Sequence, residues 1–187
     1  MTKKVSVLIG SLRAGSYARK IAHVAMEFFP ADYDVQIVEI GNLPLYNFDC
    51  DDPNVPEVSV PAEWTAFRET IKNSDGILFV TPENNRLVPA CLKNAVDIGS
   101  KPNSDVAWKN LPAGIISHSV GKMGGYSSQK TLRLALSYFD MPMPGQPEVF
   151  IGNSPELFDN NGMMTAESTR EFIADYITRF TALIEKQ

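Results

Sequence analysis

The chain is poor in the residues that build redox clips and metal cages. It has two cysteines and two histidines. Cys50 and Cys91 stand far apart with no C-x-x-C spacing, and only His23 and His118 could join them, so no metal site is expected. Neither cysteine implies a disulfide: Cys91 falls in a helical pattern as a packing residue, and Cys50 lies in a polar, Pro-rich stretch. Positive charge is also scarce. Seventeen Lys and Arg stand against 22 Asp and Glu, for a formal net charge of −5, and no basic run concentrates the cations. Binding to a phosphate backbone needs such concentration, so nucleic acid is not an expected partner. No apolar stretch reaches the roughly 20 residues of a membrane-spanning helix, and no membrane partner is expected. The N-terminal Met-Thr-Lys-Lys passes straight into a strand-like run without an apolar signal core, so the expected location is cytoplasmic.

What is present is an ordinary globular composition, 44% hydrophobic and 21% charged over 187 residues. That length fits one domain, residues 1–187, able to bury most of its apolar surface. Short, β-branched apolar runs at Val5–Ile9, Val35–Ile40, Gly76–Thr81, Ala113–Ser117 and Glu148–Ile151 suit strands buried on both faces. Between them lie helical patterns. Ala18, Ile21, Ala22, Ala25, Phe28 and Phe29 form one stripe, with Ser16 as N-cap and Pro30 as stop. Further helices are predicted over Glu63–Lys72, from Pro89 as first residue through Leu92, Ala95 and Val96, over Ser127–Phe139, and over Glu167–Lys186. Five strands alternating with five helices imply parallel pairing through right-handed crossovers. The expected fold is therefore α/β, a flavodoxin-like five-stranded parallel sheet of order 2-1-3-4-5 with helices on both faces. Ligands in such sheets sit beyond the carboxyl ends of strands 1, 3 and 4. One connection, Gly41–Pro61, exceeds the usual loop length, which points to a functional or partner-facing segment.

Three loops reach that sheet edge. Gly10–Ala18 leaves a strand and opens a helix, so amide hydrogens and a positive dipole end converge there. Ser11 and Ser16 add hydroxyls, Arg13 can grip phosphate oxygens in a bidentate way, and Gly10 and Gly15 let the backbone come close. The loop lacks both G-x-x-x-x-G-K-[ST] and G-x-G-x-x-G, which disfavours a nucleoside triphosphate or a dinucleotide. A plain strand–helix turn with a serine cap has the same appearance. Thr81–Pro89 offers Asn84 and Asn85 as mixed donors and acceptors for a flat heterocycle, or equally a turn before Pro89. Ser117–Tyr126 carries three glycines that permit close passage beside a ring, although turns favour glycine anyway. His118 reads as a structural histidine at least as readily as an acid, and Tyr126 could stack on a ring or pack.

These residues resemble the NADPH-dependent FMN reductase family, the flavodoxin-like group with bacterial quinone and chromate reductases. The resemblance runs from Val5 to about Gly152. Its carriers are Gly-Ser-Leu-Arg-x-Gly-Ser followed by Ala18-Arg19-Lys20-Ile21-Ala22, then Leu43-Pro44-Leu45-Tyr46-Asn47. Most specific are Pro82-Glu83-x-Asn85, Val88-Pro89 and Leu92-Lys93-Asn94-Ala95-Val96-Asp97, and the Ser119–Gly125 loop completes the set. Asn84 stands where the family has Tyr, Leu87 for Ser, Ala90 for Gly and Ile98 for Trp, and His118 is not the commonest residue at its place. The resemblance implies that Ser11, Arg13, Ser16, Tyr17 and Ala18 hold the FMN phosphate. It implies that Pro82, Glu83, Asn84, Asn85 and Arg86 contact the ribityl chain and ring, with Ser117, Ser119, Gly121, Gly124 and Gly125 along the ring's other edge. It further implies a homodimer or homotetramer with Gly41–Pro61 reaching a neighbour. NADPH or NADH would be co-substrate, and a quinone, flavin or other oxidised small molecule the acceptor. No side chain is expected to act as acid, base or nucleophile, because the flavin carries that chemistry. A flavodoxin-type electron carrier and a non-catalytic module of the same fold are the rival readings. Such carriers are typically more acidic than −5.

Overall fold

Alternating strand and helix patterns resolve into a single sheet because each helix buries its apolar stripe while carrying the chain back to start the next parallel strand. The computed structural model describes residues 2–187. In chain order the elements are β1 (Lys3–Ile9), α1 (Tyr17–Met26), β2 (Tyr33–Ile37), α2 (Ala62–Lys72), β3 (Gly76–Pro82), α3 (Ala90–Gly99), β4 (Ala113–His118), α4 (Tyr126–Ser137), β5 (Val149–Ile151) and α5 (Glu167–Ile184), with short 3₁₀ turns at Phe48–Asp51 and Ser154–Leu157. The strands pair in parallel in the order β2-β1-β3-β4-β5, the expected flavodoxin-like topology.

Successive strand residues point to opposite faces, and each face has its own core. Val5, Val7 and Ile9 of β1 pack with Leu78, Val80 and Ile116 under α1 and α5, against Ile21, Ala22, Ile177 and Phe180. Leu8, Ile77, Phe79 and Ile115 face the other way, under Trp64 and Phe67 of α2, Leu92 and Ile98 of α3, and Leu132 and Leu136 of α4.

Several element ends differ from the sequence expectation. β2 lies at Tyr33–Ile37 rather than Val35–Ile40, because an edge strand accommodates the polar Asp34 and Gln36. Ile40 is buried under α2 after the chain has left the sheet, so its apolar character reflects packing and not pairing. β2 is also only partly buried, unlike the central strands. α1 stops at Met26, and Phe28 and Phe29 extend its apolar face from the following turn. Pro89 is the N-cap of α3 and not its first residue, its extended ψ of 145 placing it just outside the helix.

The Gly41–Pro61 connection has an irregular path but is firmly tied. Asn94 of α3 accepts a hydrogen bond from the Tyr46 N–H at 2.8 Å and donates to the Pro44 and Leu43 carbonyls at 3.1 and 3.3 Å. Trp64 donates its indole N–H to the Pro44 carbonyl at 3.0 Å, and its ring stacks on Tyr46 with centroids 5.3 Å apart. Arg68 makes a two-pronged ion pair with Asp51 at 2.9 and 2.6 Å and donates through Nε to the Ile98 carbonyl at 2.8 Å. A loop so long is held because its polar groups are met by side chains from α2 and α3.

Candidate functional site: a cleft at the sheet's switch point

The strand register brings the three loops together. Ile9 of β1 pairs with Val80, and Pro82 pairs with His118, so β1, β3 and β4 end along one edge. Where the order reverses between β1 and β3, no crossover helix covers that edge, and a crevice opens.

The β1–α1 loop leaves donors unused. Ser16 accepts at its side-chain oxygen from the Arg19 N–H at 3.4 Å, and its carbonyl accepts from the Lys20 N–H at 3.2 Å. A helix's first amides have no intrahelical acceptor, so those of Tyr17 and Ala18 are unused within the helix, and no acidic side chain occupies the first turn. The Ser11 hydroxyl oxygen accepts from the Arg13 N–H at 3.4 Å, leaving its own hydrogen free to turn outward. Arg13 is exposed and makes no ion pair among the described residues. The two glycines act differently from each other. A Cβ on Gly10 would lie 2.9 Å from Thr81 Oγ1, so glycine there lets β1 press on β3, whereas Gly15 faces open space.

The β3–α3 loop is a tight hairpin. Asn84 and Leu87 exchange N–H to carbonyl hydrogen bonds of 3.1 and 3.0 Å, with Asn85 at φ 51 and Arg86 at φ 64 between them. Two successive positive φ values define the type I′ arrangement, tolerated by Asn but strained for Arg by about 1–2 kcal/mol. Its effect is to hold Asn84 over the cleft. Glu83 accepts through its carboxylate from the Ser127 and Ser128 N–H groups at 2.9 and 3.3 Å. It thereby caps α4, whose own N-cap residue, Gly125, has no side chain to do so.

The β4–α4 loop is clamped to its neighbours. Gly124 and Gly125 have φ of 62 and 75, and a Cβ on either would sit 2.6 Å from the Phe150 carbonyl carbon or 2.8 Å from the His118 carbonyl oxygen. Ser117 is fully buried, its hydroxyl 2.8 Å from the Gly124 carbonyl. The imidazole of His118 is buried at the floor, Nδ1 lying 2.9 Å from the Ser154 hydroxyl. Desolvation pushes its pKa down to about 4, so the ring is neutral near pH 7.

The cleft has two lobes. The first, about 200 Å³, is lined by Ser11, Arg13, Ser16, Tyr17, Pro82, Glu83, Asn84, Ser119, His118 and Val120. The second, about 440 Å³, adds Gly10, Leu12, Pro89, Ala90 and Cys91 and shares Ser11, Arg13, Pro82 and Asn84 with the first. The second lobe is of the usual size for a cofactor site, and the first adjoins it as a smaller recess. Eight predicted residues therefore meet on one surface: Ser11, Arg13, Ser16, Tyr17, Pro82, Glu83, Asn84 and Ser119. Ala18 is buried in the core beneath, Asn85 and Arg86 sit exposed on the hairpin turn, Ser117 at the end of β4 is buried with Gly124 and Gly125 behind the lining, and Gly121 is exposed outside it. Gly10, Leu12, Pro89, Ala90, Cys91, His118 and Val120 line the cleft without having been predicted site residues. All seven belong to or adjoin the same three loops, which was the available signal; their orientation toward the cleft was not encoded locally. Among the described residues no group of three or more His, Cys, Asp or Glu could hold a metal ion, and no helix is long and apolar enough to cross a membrane.

This geometry fits a phosphorylated flat heterocycle such as FMN. Uncommitted helix amides and Arg13 suit the phosphate, while the second lobe is lined largely by Leu12, Pro89, Ala90 and Cys91 and suits a ring. A family model for NADPH-dependent FMN reductase matches residues 3–156. The chain is 42% identical to a quinone reductase of Pseudomonas putida, covering 97% of this chain and 94% of the relative. It is 37% identical to a 2-hydroxy-1,4-benzoquinone reductase of a Burkholderia species, over 98% of this chain and 97% of that one. Among solved structures it is similar to FerB, a flavoenzyme NAD(P)H:(acceptor) oxidoreductase of Paracoccus denitrificans, with a TM-score of 0.88, 32% identity and 98% of both chains covered.

Proposed function

Because the chain belongs to the NADPH-dependent FMN reductase family, we propose that its cleft binds FMN at the predicted loops and passes reducing equivalents from NAD(P)H to a quinone. The observation that carries the site is the convergence of α1's open N-terminus, Ser11 and Arg13 with the Asn84 hairpin and the His118–Ser119 floor on one crevice. The protein is an NAD(P)H-dependent oxidoreductase of the FMN-using type. Bound there, FMN supplies hydride and electron chemistry that no side chain of the site supplies.

The residues bind and orient. Amides at the start of α1, the Ser11 hydroxyl and the Arg13 guanidinium meet the dianion's charge, each a charge-assisted contact. The closed Asn84–Leu87 hairpin presents a fixed amide edge, because its two ladder bonds leave the turn little freedom. Leu12 and Val120, which line the cleft, are exposed at 60 and 70%, apolar surface that suits a flat, sparingly polar acceptor. The quinone reductases among the relatives support that class of acceptor. We read residues 1–187 as one FMN-binding domain, since both core layers share the one sheet.

Anaerobic addition of NADPH or NADH to the FMN-loaded protein tests the reaction. Prompt loss of visible flavin absorbance and its recovery on adding a quinone are expected. A flavin that stays oxidised under excess NAD(P)H would point instead to an electron carrier. The reading also includes a homodimer or homotetramer. Although the Gly41–Pro61 connection is tied to its own subunit, it exposes Leu45 at 81% and Phe48 at 50%, apolar surface for a neighbour to cover. Sedimentation as a dimer or tetramer is expected, and a monomer at all accessible concentrations would remove that part.

A further inference from the structure

We infer that His118 is a cofactor-binding residue: its Nε2, held as a bare acceptor by Ser154, takes a hydrogen bond from a hydroxyl of the polyol chain of FMN. The inference rests on the FMN site proposed above and assigns a role to a residue outside the predicted site set.

The tautomer follows from the hydrogen bonds on the far side of the ring. Ser154 has one hydroxyl hydrogen, and its oxygen lies 2.8 Å from the Ser119 carbonyl, which can only accept. Two oxygens that close would repel with no hydrogen between them, so the Ser154 hydrogen points to Ser119. Toward His118 the Ser154 oxygen is then the acceptor, and the hydrogen in the 2.9 Å contact belongs to Nδ1. Nε2 is left with a lone pair. It is buried, with no hydrogen-bond partner among the described residues, in a side chain only 5% exposed. Native structures rarely leave such an atom unpaired, and where they do a ligand is a natural partner.

The lobe says which kind of ligand group. His118 lines the first lobe together with Ser11, Arg13 and Ser16, the anion-binding end, and does not line the second. Phosphate oxygens accept hydrogen bonds, so a bare acceptor cannot serve them. Proton uptake by His118 is opposed by its burial. Glu83, the lobe's other charged group, already has its carboxylate oxygen on the α4 amides. The donors that FMN carries next to its phosphate are the polyol hydroxyls. An acceptor beside the phosphate end meets those first.

The test is FMN binding to the apoprotein, followed by flavin fluorescence. His118→Phe keeps a ring but removes the acceptor, and about a five- to tenfold rise in Kd is expected from losing one neutral hydrogen bond. His118→Gln, which can place an amide oxygen near the position of Nε2, should keep most of the affinity. Among 2′-, 3′- and 4′-deoxy-FMN, one analogue should bind wild type and H118F alike, a result that a purely structural role would not produce. Equal FMN affinity of wild type and H118F overturns the inference, as does a gap that persists with all three analogues. Nitrogen-15 NMR of the wild-type imidazole keeps the question decidable if H118F fails to fold. An unprotonated Nε2 whose resonance moves on adding FMN is expected. Protonation of both ring nitrogens in the complex, the sign of a cation held on phosphate, overturns it, and so does an unmoved resonance. Wild type that takes up no FMN at all would instead remove the FMN reading itself.

Discussion

Arg13→Ala is expected to weaken FMN binding by about ten- to a hundredfold while leaving the fold intact. A guanidinium–phosphate contact is charge-assisted, and such hydrogen bonds contribute about 1.5–3 kcal/mol, where 1.4 kcal/mol is a decade of affinity. In the protein the side chain is exposed and makes no ion pair among the described residues, so its removal costs the folded state within about 0.5 kcal/mol. Titration of the apoprotein with FMN reads the first effect, and urea unfolding reads the second. Arg13→Lys should fall between wild type and alanine, because a point charge replaces a planar fork. An unchanged dissociation constant for R13A would take Arg13 out of the phosphate site, whatever the rest of the loop does.

Asp51→Ala should lower stability by about 3–5 kcal/mol, a large share of the roughly 5–15 kcal/mol that holds a domain of this kind. Arg68 and Asp51 have side chains only 8 and 4% exposed, and their contact is bidentate. Removing the carboxylate leaves a guanidinium buried with one remaining acceptor, the Ile98 carbonyl. Urea denaturation of wild type and variant measures the loss. The double variant Asp51→Leu with Arg68→Met removes both charges together and should recover most of it. A loss under about 1 kcal/mol for D51A would mean that the Gly41–Pro61 connection peels away and lets water reach Arg68. Hydrogen exchange at the Tyr46 amide, which donates to Asn94 in α3, would then quicken and identify that local opening.

Strand order and helix polarity were legible because they depend on local pattern and on chain connectivity. The run Val5–Ile9 suited a buried strand, and Ser16 before a stripe of Ala18, Ile21, Ala22 and Ala25 marked the start of α1, as observed. The three loops could be named for the same reason, since parallel connection puts every β-to-α turn at one edge. Within the loops the reading was less complete. Glycines at 124 and 125 looked suited to a passing ring, yet their positive φ and the nearness of Phe150 and His118 show them serving the packing of the loop against β5 and β4. Glu83 looked like a ligand contact, and it also caps a helix that starts more than forty residues later. The Asp51–Arg68 pair gave no local sign, because neither residue's neighbours indicate that both will be buried.

By itself the sequence determined the alternation of elements, the all-parallel sheet and the place where an anion can meet a helix start, because these follow from periodicity, capping and the handedness of crossovers. Only the tertiary structure decided which side chains turn into the cleft, that the long connection is tied down by α2 and α3, and that His118 keeps an empty lone pair at the cleft floor. Orientation, burial and tautomer depend on atoms brought close from distant parts of the chain. No local window of residues contains those neighbours, so the chemistry of the floor existed only once the sheet had closed around it.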